Sequence, residues 1–523
     1  MEREAMQFTQ GLERAVQHHP EMTATICGSR SQTFTDLYKR TTRLAGCMAS
    51  KGLIKGARIA VLALNSDHYL EVYLATAWAG AVIVPANFRW SPAEIAYSLN
   101  DAGCQALIVD QQHAALVSIL REQCPGLKHV FLMGGTEDAD GLLGLDALIE
   151  GSVSLPHSGA GGNDLLGIFY TGGTTGRPKG VMLSHANLCS SGLSMLAEGV
   201  FNEGGVGLHV APMFHLADML MTMCLVLRGC THVMLPAFSP DAVLDQVARH
   251  RVTDTLVVPA MLQAITDHPS ISDFDTSSLC NILYGASPAS ETLLRRTMAA
   301  FPGVRLTQGY GMTESAAFIC ALPWHQHVVA EGGPNRLRAA GRSTFDVHLR
   351  IVDSDDREVP RGEVGEIIVK GPNVMQGYYN MPDATAETLR GGWLHTGDMA
   401  WMDEEGYVYI VDRAKDMIIS GGENIYSAEV ENAVASHPAV AANAVIGIPH
   451  EQMGESVHVA VVLRPGCTLE LDALQNHCRT LIAGYKVPRS MEIMPSLPLS
   501  GAGKILKTEL REPFWKGLDR AVS

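Results

Sequence analysis

The stretch Phe169-Tyr-Thr-Gly-Gly-Thr-Thr-Gly-Arg-Pro-Lys-Gly-Val-Met-Leu-Ser-His185 decides how the chain is read. The apolar run from Leu165 to Tyr170 has strand length and predicts a buried strand. It breaks into a loop of glycines, threonines and one lysine, and Ser184 is placed to N-cap a following helix. Gly172, Gly173 and Gly176 let backbone N–H groups turn toward an anion without side-chain bulk. Thr171, Thr174 and Thr175 add hydroxyl donors, and Lys179 adds a positive charge. The Walker pattern G-x-x-x-x-G-K-[ST] is absent, because Gly172 is followed five positions on by Arg177 and Lys179 by Gly180. Read alone, the loop fits a phosphate clamp and an ordinary Gly/Thr-rich turn equally well.

On either side of this loop, strands and helices alternate. Arg58–Leu64, Ala81–Pro85, Gln105–Val109 and His129–Leu132 read as strands, and His68–Trp78 as a helix. Phe8–Val16 and Thr35–Ser50 read as helices, the second stopping at Gly52. Ser91-Pro-Ala-Glu94 sets an N-cap, a first-turn proline and a capping-box glutamate in register, opening a helix that ends near Ala102-Gly103. Residues 150–163 are rich in Gly, Ser and Pro and read as a surface linker. Strands resume at Leu208–Ala211, Thr231–Leu235, Thr255–Val258 and Asn281–Tyr284, and Ser239-Pro240 caps a helix between two of them. From Val347 short strands dominate (Val347–Val352, Glu366–Lys370, Gly406–Val411). A charge cluster, Asp412-Arg-Ala-Lys-Asp416, marks a boundary. Beyond it a helix begins at Ser427, a strand spans Val457–Leu463 and a second helix Leu471–Ile482.

The expected fold is therefore α/β. A large N-terminal domain, 1–414, has parallel and mixed sheets with flanking helices and a β-rich subdomain at about 345–412. A small α+β domain, 415–523, follows.

Composition narrows the function classes. At 523 residues, with 46% hydrophobic and 18% charged content, the chain has ordinary globular statistics. No apolar run reaches the ~18 residues of a membrane span, and the N-terminal segment carries no secretory pattern, so a cytoplasmic protein is expected. A net charge of −16 argues against general nucleic-acid binding, although Arg479–Arg520 carries eight Lys/Arg against four Asp/Glu. Such a patch suits a solvated face or a surface that meets phosphates. Eleven cysteines without a C-x-x-C pair predict free thiols, and twenty histidines without zinc spacing predict no structural zinc.

Seven blocks fall in a fixed order. They are Tyr170-Thr-Gly-Gly-Thr-Thr-Gly-Arg-Pro-Lys-Gly180, Pro212-Met-Phe-His215, Tyr284-Gly-Ala-Ser-Pro288, Gly309-Tyr-Gly-Met-Thr-Glu314, Gly392-Trp-Leu-His-Thr-Gly-Asp398, Asp412-Arg-Ala-Lys-Asp416 through Gly421-Gly-Glu-Asn424, and Leu499-Ser-Gly-Ala-Gly-Lys504. The chain resembles the adenylate-forming superfamily of acyl-CoA synthetases, stand-alone adenylation domains and beetle luciferases along essentially its whole length. It is most similar to bacterial fatty-acid or aryl acyl-CoA ligases, whose ends Arg511-Glu-Pro-Phe-Trp515 resembles.

The resemblance implies ATP-dependent activation of a carboxylic acid to acyl-AMP, followed by transfer to a thiol, with ATP, Mg²⁺ and coenzyme A as cofactors. It implies that the loop Thr171–Gly180 holds the β- and γ-phosphates. Glu314, with Thr171, would hold Mg²⁺, and Thr313 would sit by the phosphate. Gly285, Ala286 and Ser287, together with Gly309, Tyr310, Gly311 and Met312, would line the adenine and acyl pocket. Asp398 would accept the ribose hydroxyls, supported by Arg413. Lys504 would stabilise charge developing between carboxylate and α-phosphate, and His215 would gate the acyl group. Lys415 would be a hinge about which the small lobe turns, withdrawing Lys504 and bringing in Gly421 and Gly422 to shape a thiol tunnel. Ala502 stands where the family usually has Ser or Thr before Gly-Lys. Unaided by the resemblance, each of these residues also has a plain reading as a turn, cap, surface ion pair or core residue.

Within that superfamily, the absence of a segment with a phosphopantetheine serine predicts a free-standing ligase; the resemblance of Arg511-Glu-Pro-Phe-Trp515 to the ends of bacterial acyl-CoA ligases favours coenzyme A as acceptor, and a homodimer is expected. Met213, Phe214, His215, Met219 and the small residues at 285–287 predict an apolar pocket for a medium-chain fatty, aryl or arylalkyl acid. Arg228 and Arg251 are the candidate partners for a second substrate carboxylate. The alternatives are an enzyme that loads a separate carrier protein and a non-catalytic nucleotide-binding relative.

Overall fold

A computed structural model describes residues 6–135, 142–171, 178–328, 334–413, 416–421, 423–500 and 504–516, the side chain of Arg413 excepted. Two large sheets form the first lobe. In the eight-stranded sheet, Val82–Pro85, Arg58–Leu62, Ala106–Val109 and His129–Leu132 run parallel. Leu165–Thr171 joins them in parallel through Ile83 and Gly167. Gly167 has no alternative there: a Cβ would lie 2.6 Å from the Phe169 ring and 2.9 Å from the Ile83 side chain.

The nine-stranded sheet is built on Val206–His209, Thr231–Met234, Asp254–Val257, Asn281–Gly285 and Arg305–Tyr310, again parallel. An unexpected hairpin, Thr23–Cys27 with Arg30–Thr33, completes one edge by pairing with Thr231–Met234. The helix Asp67–Trp78 is buried on nearly every face, and Leu216–Leu227 nearly so. Helices apolar all round belong inside a protein, and these two help to join the sheets in one core with Tyr69, Tyr73, Leu216 and Met219.

Local signals hold where the sequence reading placed them. Ser91 and Glu94 form the capping box, and the helix Pro92–Ala102 ends on Gly103 in the left-handed region. Ser184 caps His185–Ala197 in the same way, its hydroxyl accepting the Asn187 N–H. Caps of this kind contribute about 1 kcal/mol each. The reading is corrected at one place that matters. The loop does not run straight into that helix, because Lys179–Ser184 is a strand, antiparallel to Leu165–Thr171. The linker near 150–163 is packed rather than loose: Trp78 Nε1 donates to Leu155 O at 2.8 Å, and Thr9 meets His157 at 2.9 Å.

The β-rich subdomain is a four-stranded antiparallel sheet of His348–Val352, Gly365–Lys370, Leu394–Met402 and Val408–Arg413. The small lobe has its own core, in which Val440–His450 and Gly454–Leu463 pack against Ser427–Ala435 and Leu471–Arg479. The predicted helix to Ile482 stops at Arg479 and finishes as a turn. The lobes touch where Gln263 Nε2 donates to Ala441 O at 2.6 Å and where Arg464 lies 3.7 Å from Asp267. No helix among the described residues is long and apolar enough to cross a membrane.

Candidate active site

The site lies at the carboxyl ends of the parallel strands, where loops leave an open α/β sheet and ligands bind. The hairpin of the glycine loop sets one wall. Thr171 and Lys179 are register partners at its open end. Gly172, Gly173, Thr174, Thr175 and Gly176 lie outside the described residues, as do Lys415 and Gly422. A short strand, Gly377–Tyr378, adds to the hairpin through Val181 and Met182. It brings Tyr378 under Lys179, whose ammonium sits 4.8 Å from the ring centroid.

The same tyrosine reaches Glu314. Its hydroxyl donates to Glu314 Oε1 at 2.8 Å, and Glu314 is only 7% exposed. Burial, then the neighbouring Glu314 carboxylate, push the Tyr378 hydroxyl above its usual pKa, so it stays a donor. Glu314 sits on a single 3-10 turn, Thr313–Ser315, rather than a helix start. The turn is pinned from outside: Met375 N–H donates to Glu314 O at 2.8 Å, and Asn373 donates to Ser315 O and Phe318 O at 3.1 and 2.8 Å. A carboxylate offers about four lone-pair sites. One tyrosine hydrogen bond therefore leaves Glu314 able to bind a hard divalent cation, which prefers oxygen ligands.

Asp398 lies opposite Arg413 in the register of the antiparallel sheet and accepts the Tyr310 hydroxyl at 2.7 Å. Burial and this carboxylate push the Tyr310 hydroxyl well above its ordinary pKa, so Tyr310 keeps the proton it donates.

Between these groups opens an apolar cavity. Its walls come from the ends of two adjacent strands (Leu283 to Ala286, and Gly309 with Gly311, Met312 and Thr313) and from Pro212, His215, Leu216, Ala217 and Leu220. Met195, Leu256, Val258, Ala317 and Phe318 close it, and Lys504 enters from the small lobe. Two glycines are dictated by backbone packing as much as by any ligand. A Cβ on Gly285 would lie 2.2 Å from Gly309 O, and one on Gly311 would lie 2.3 Å from Ala317 O.

His215 immediately precedes the helix Leu216–Leu227, makes no side-chain capping bond to it, and lines the cavity. Burial, with Lys504 and Arg89 nearby, pushes its pKa down to about 4, so at neutral pH it is an uncharged imidazole. The segment before it is fixed by Asn65, which accepts the Met213 N–H at 2.7 Å and donates to Ala211 O at 2.8 Å.

The structure thus brings Lys504, His215, Thr313, Gly285, Ala286, Gly309, Gly311 and Met312 to one cavity. Glu314 and Tyr310 flank it on the same turn and strand, and Tyr310 ties Asp398 to this edge. Met213, Phe214 and Met219 are not pocket residues: they are buried in the core between the sheets. Their apolar character suits either place, and periodicity does not separate the two. Ser287 and Gly421 are likewise not among the lining residues. Neither Arg228 nor Arg251 lines the cavity, and Arg251 pairs instead with Asp275 at 2.7 Å. Among the described residues, Lys504 is the sole charged side chain in the lining. Tyr378, Asn65 and the inner wall of Met195, Leu256 and Phe318 carry no motif by which sequence reading finds them.

Comparison with known proteins agrees with this geometry. The profile described as AMP-binding enzyme matches residues 12–379, and that of the AMP-binding enzyme C-terminal domain matches 429–504. The chain is 41% identical over 503 residues to a feruloyl-CoA synthase of an Amycolatopsis species, covering 96% of this chain and 98% of that one. It is 34% identical to the fatty acid–[acyl-carrier-protein] ligase ScoC of Streptomyces coeruleorubidus, over 97% of this chain and 96% of that one. The ATP-bound structure of MatB from Rhodopseudomonas palustris superposes with a TM-score of 0.87 at 30% identity, over 98% and 99% of the two chains.

Proposed function

Since the chain belongs to the AMP-binding enzyme family, we propose that it is an ATP-dependent acid–thiol ligase for an apolar monocarboxylic acid, aryl or arylalkyl before medium-chain fatty. The acid is activated to acyl-AMP with release of pyrophosphate, and the acyl group then passes to coenzyme A with release of AMP. The observation that carries this reading is the apolar cavity that Lys504 enters from the other lobe. The likeness to a feruloyl-CoA synthase favours the aryl class.

The chemistry asks for positive charge in a dry place. A carboxylate is a weak nucleophile and must approach a polyanion; charge then builds on the α-phosphate as the oxygen attacks. A preorganised ammonium in a water-poor cavity stabilises that charge far better than solvent does. This is the role assigned to Lys504. Neutral His215 adds no competing cation and covers the acyl group. Lys179, with Thr171 and the loop that follows, holds the β- and γ-phosphates.

Glu314 and Thr171 are the residues assigned to Mg²⁺, which when bound neutralises phosphate charge. Tyr378 orients Glu314 toward that duty. Asp398 accepts the ribose hydroxyls and Arg413 supports it, while Gly285, Ala286, Gly309, Gly311, Met312 and Thr313 take the adenine and the start of the acyl group. For the second step, rotation at Lys415 withdraws Lys504 and turns Gly421 and Gly422 inward for the thiol.

A pyrophosphate-release screen over aryl, arylalkyl and fatty acids, with coenzyme A present, tests the reading. Activity confined to dicarboxylates, or none at all, would overturn it. The carrier-protein ligase among the relatives gives a second reading, in which a carrier protein replaces coenzyme A. Acyl-AMP that accumulates with coenzyme A and is consumed only by a pantetheinylated carrier would favour that reading.

A further inference from the structure

Next to Lys504 in the chain lies a set of partly buried ion pairs that the proposed chemistry does not use. Leu499 and Ile505 bridge to close the hairpin that carries Lys504, and Leu506 N–H donates to Pro498 O at 2.9 Å. The helix Lys507–Trp515 starts at once. From its first residue, Lys507 reaches Glu431 at 2.7 Å and donates to the Ser427 hydroxyl. One turn on, Arg511, 8% exposed, donates to Asp416 Oδ1 at 2.7 Å and to Asp416 O at 3.4 Å.

These partners are not scattered over the lobe. Asp416 is the first described residue of the small lobe. Ser427 gives its backbone N–H to Asp412 Oδ2 at 2.7 Å, and Asp412 belongs to the strand Val408–Arg413 of the large lobe. The base of the Lys504 hairpin is therefore tied to a residue on each side of the connection between the lobes. On the small-lobe side Arg511 holds both the carboxylate and the carbonyl of Asp416; across the boundary, Lys507 works through Ser427 to Asp412. Well-packed apolar residues often replace a buried ion pair without loss of stability. What such a pair adds is direction, since a guanidinium donating to two oxygens fixes angle as well as distance.

We propose that Lys507 and Arg511 are positioning residues for Lys504. They make the hairpin and the start of the small lobe one rigid piece, so that the pose of the lobe sets where the ammonium lies in the cavity. The proposal rests on the adenylating role assigned to Lys504 above. It sets these two cations apart from the large-lobe groups: their loss acts on the step that uses Lys504 and spares the step that does not.

The test uses the full chain, with the acid that the pyrophosphate screen selects. Lys507→Met, Arg511→Met and Arg511→Lys are assayed separately for ATP–pyrophosphate exchange and for thioester formation from supplied acyl-AMP. A misplacement of about an ångström can cost up to ~10²-fold in rate, so each Met variant should lose about tenfold or more in exchange kcat. The KM for ATP and the second step should stay within about twofold, because their contacts lie elsewhere. Arg511→Lys, which keeps the charge, should recover part of the loss. Equal loss in both steps, or no loss in exchange, overturns the proposal. Thermal melts identify any variant that simply unfolds, and a Met variant that keeps its fold decides the matter. Lys504→Ala is the control: if it leaves exchange intact, the role of Lys504 has failed, a different result from failure of the two supporting cations.

Discussion

The two lobes hold their shares of the site by different physics. In the large lobe the polar groups stand at strand ends and are fixed by buried hydrogen bonds from tyrosines, Tyr310 on Asp398 and Tyr378 on Glu314. In the small lobe Lys504 stands on a hairpin whose base is held by ion pairs. The lobes meet through the Gln263–Ala441 hydrogen bond, the Arg464–Asp267 ion pair, the Ser427–Asp412 hydrogen bond and the entry of Lys504 into the cavity. The difference teaches a division of labour. On the proposed mechanism, groups that serve both steps belong on the rigid sheet, whereas the group needed for one step belongs on the lobe proposed to turn away.

The hardest test of that division is Lys504→Ala. Removing a charge-stabilising donor from a dry site typically costs about 10²–10³-fold, and the adenylation step should fall at least that far. Thioester formation from supplied acyl-AMP should be almost untouched. Equal loss in both half-reactions would show that the lobes are not specialised.

Acid should act mostly on the large lobe, although burial also lowers the pKa of His437 and His458 in the small one. His185, His215, His232 and His327 all belong to the large lobe, and burial is the first cause in holding the pKa of each below the ordinary value. For His185 and His327 the folded value is about 4. The unfolded chain binds their protons near pH 6.5, the folded one only near 4. Stability is therefore full above about pH 6.5 and is lost as pH falls toward 4, on the order of 3 kcal/mol for each such histidine. Melting temperature against pH should fall steeply over that window, and His327→Gln should flatten the slope. A melt insensitive to pH between 7 and 4, to within about 2 °C, would contradict this reading of the large lobe.

How much of this was legible beforehand follows the same line. Structure carried by a local pattern was readable: the capping boxes at Ser91 and Ser184 and the strand Leu165–Thr171 that leads into the glycine-threonine loop. Features made by distant pairing were not. Thr23–Cys27 finds its partner about two hundred residues later at Thr231–Met234, and no local pattern announces that. Lys179–Ser184 has only a short apolar run, so a loop entering a helix explained it equally well until the antiparallel ladder was seen. Tyr378 reaches Glu314 from 64 residues away in sequence. The inner wall of the cavity is ordinary Leu, Met and Phe, indistinguishable by composition from Met213, Phe214 and Met219, which fill the core instead.

Asp398 makes a sharper test of the large lobe than of the small one. Hydrogen bonds to a charged group are worth about 1.5–3 kcal/mol, so Asp398→Ala should raise the KM for ATP by roughly ten- to a hundredfold. It also leaves the Tyr310 hydroxyl without this acceptor, and some loss of stability should accompany the kinetic effect. Asp398→Asn keeps an oxygen in place and should recover the stability better than the affinity. Kinetics in both half-reactions should show the same nucleotide defect, because on the proposed mechanism the AMP moiety stays bound through both. A defect confined to one step would place Asp398 with Lys504 rather than with the sheet.

The smallest effects belong to the acyl end, where single methylene groups are at stake. Leu220 lies one helical turn beyond Leu216 and Ala217, and Met195 closes the same end from the preceding helix. A methylene in an apolar pocket is worth about 1–3 kcal/mol, or some tenfold and upward in kcat/KM. Met195→Ala should shift preference toward acids longer by one or two carbons, at a cost in stability of about 2–5 kcal/mol for the emptied volume. Ala217→Leu should do the reverse and disfavour broad aryl acids. In both variants ATP–pyrophosphate exchange with a short acid should remain near the parent rate, since neither residue is among those assigned to the nucleotide. If chain-length preference does not move in opposite directions in the two variants, the acyl group does not lie in this cavity. Lys504 would then be entering a space that serves some other part of the reaction.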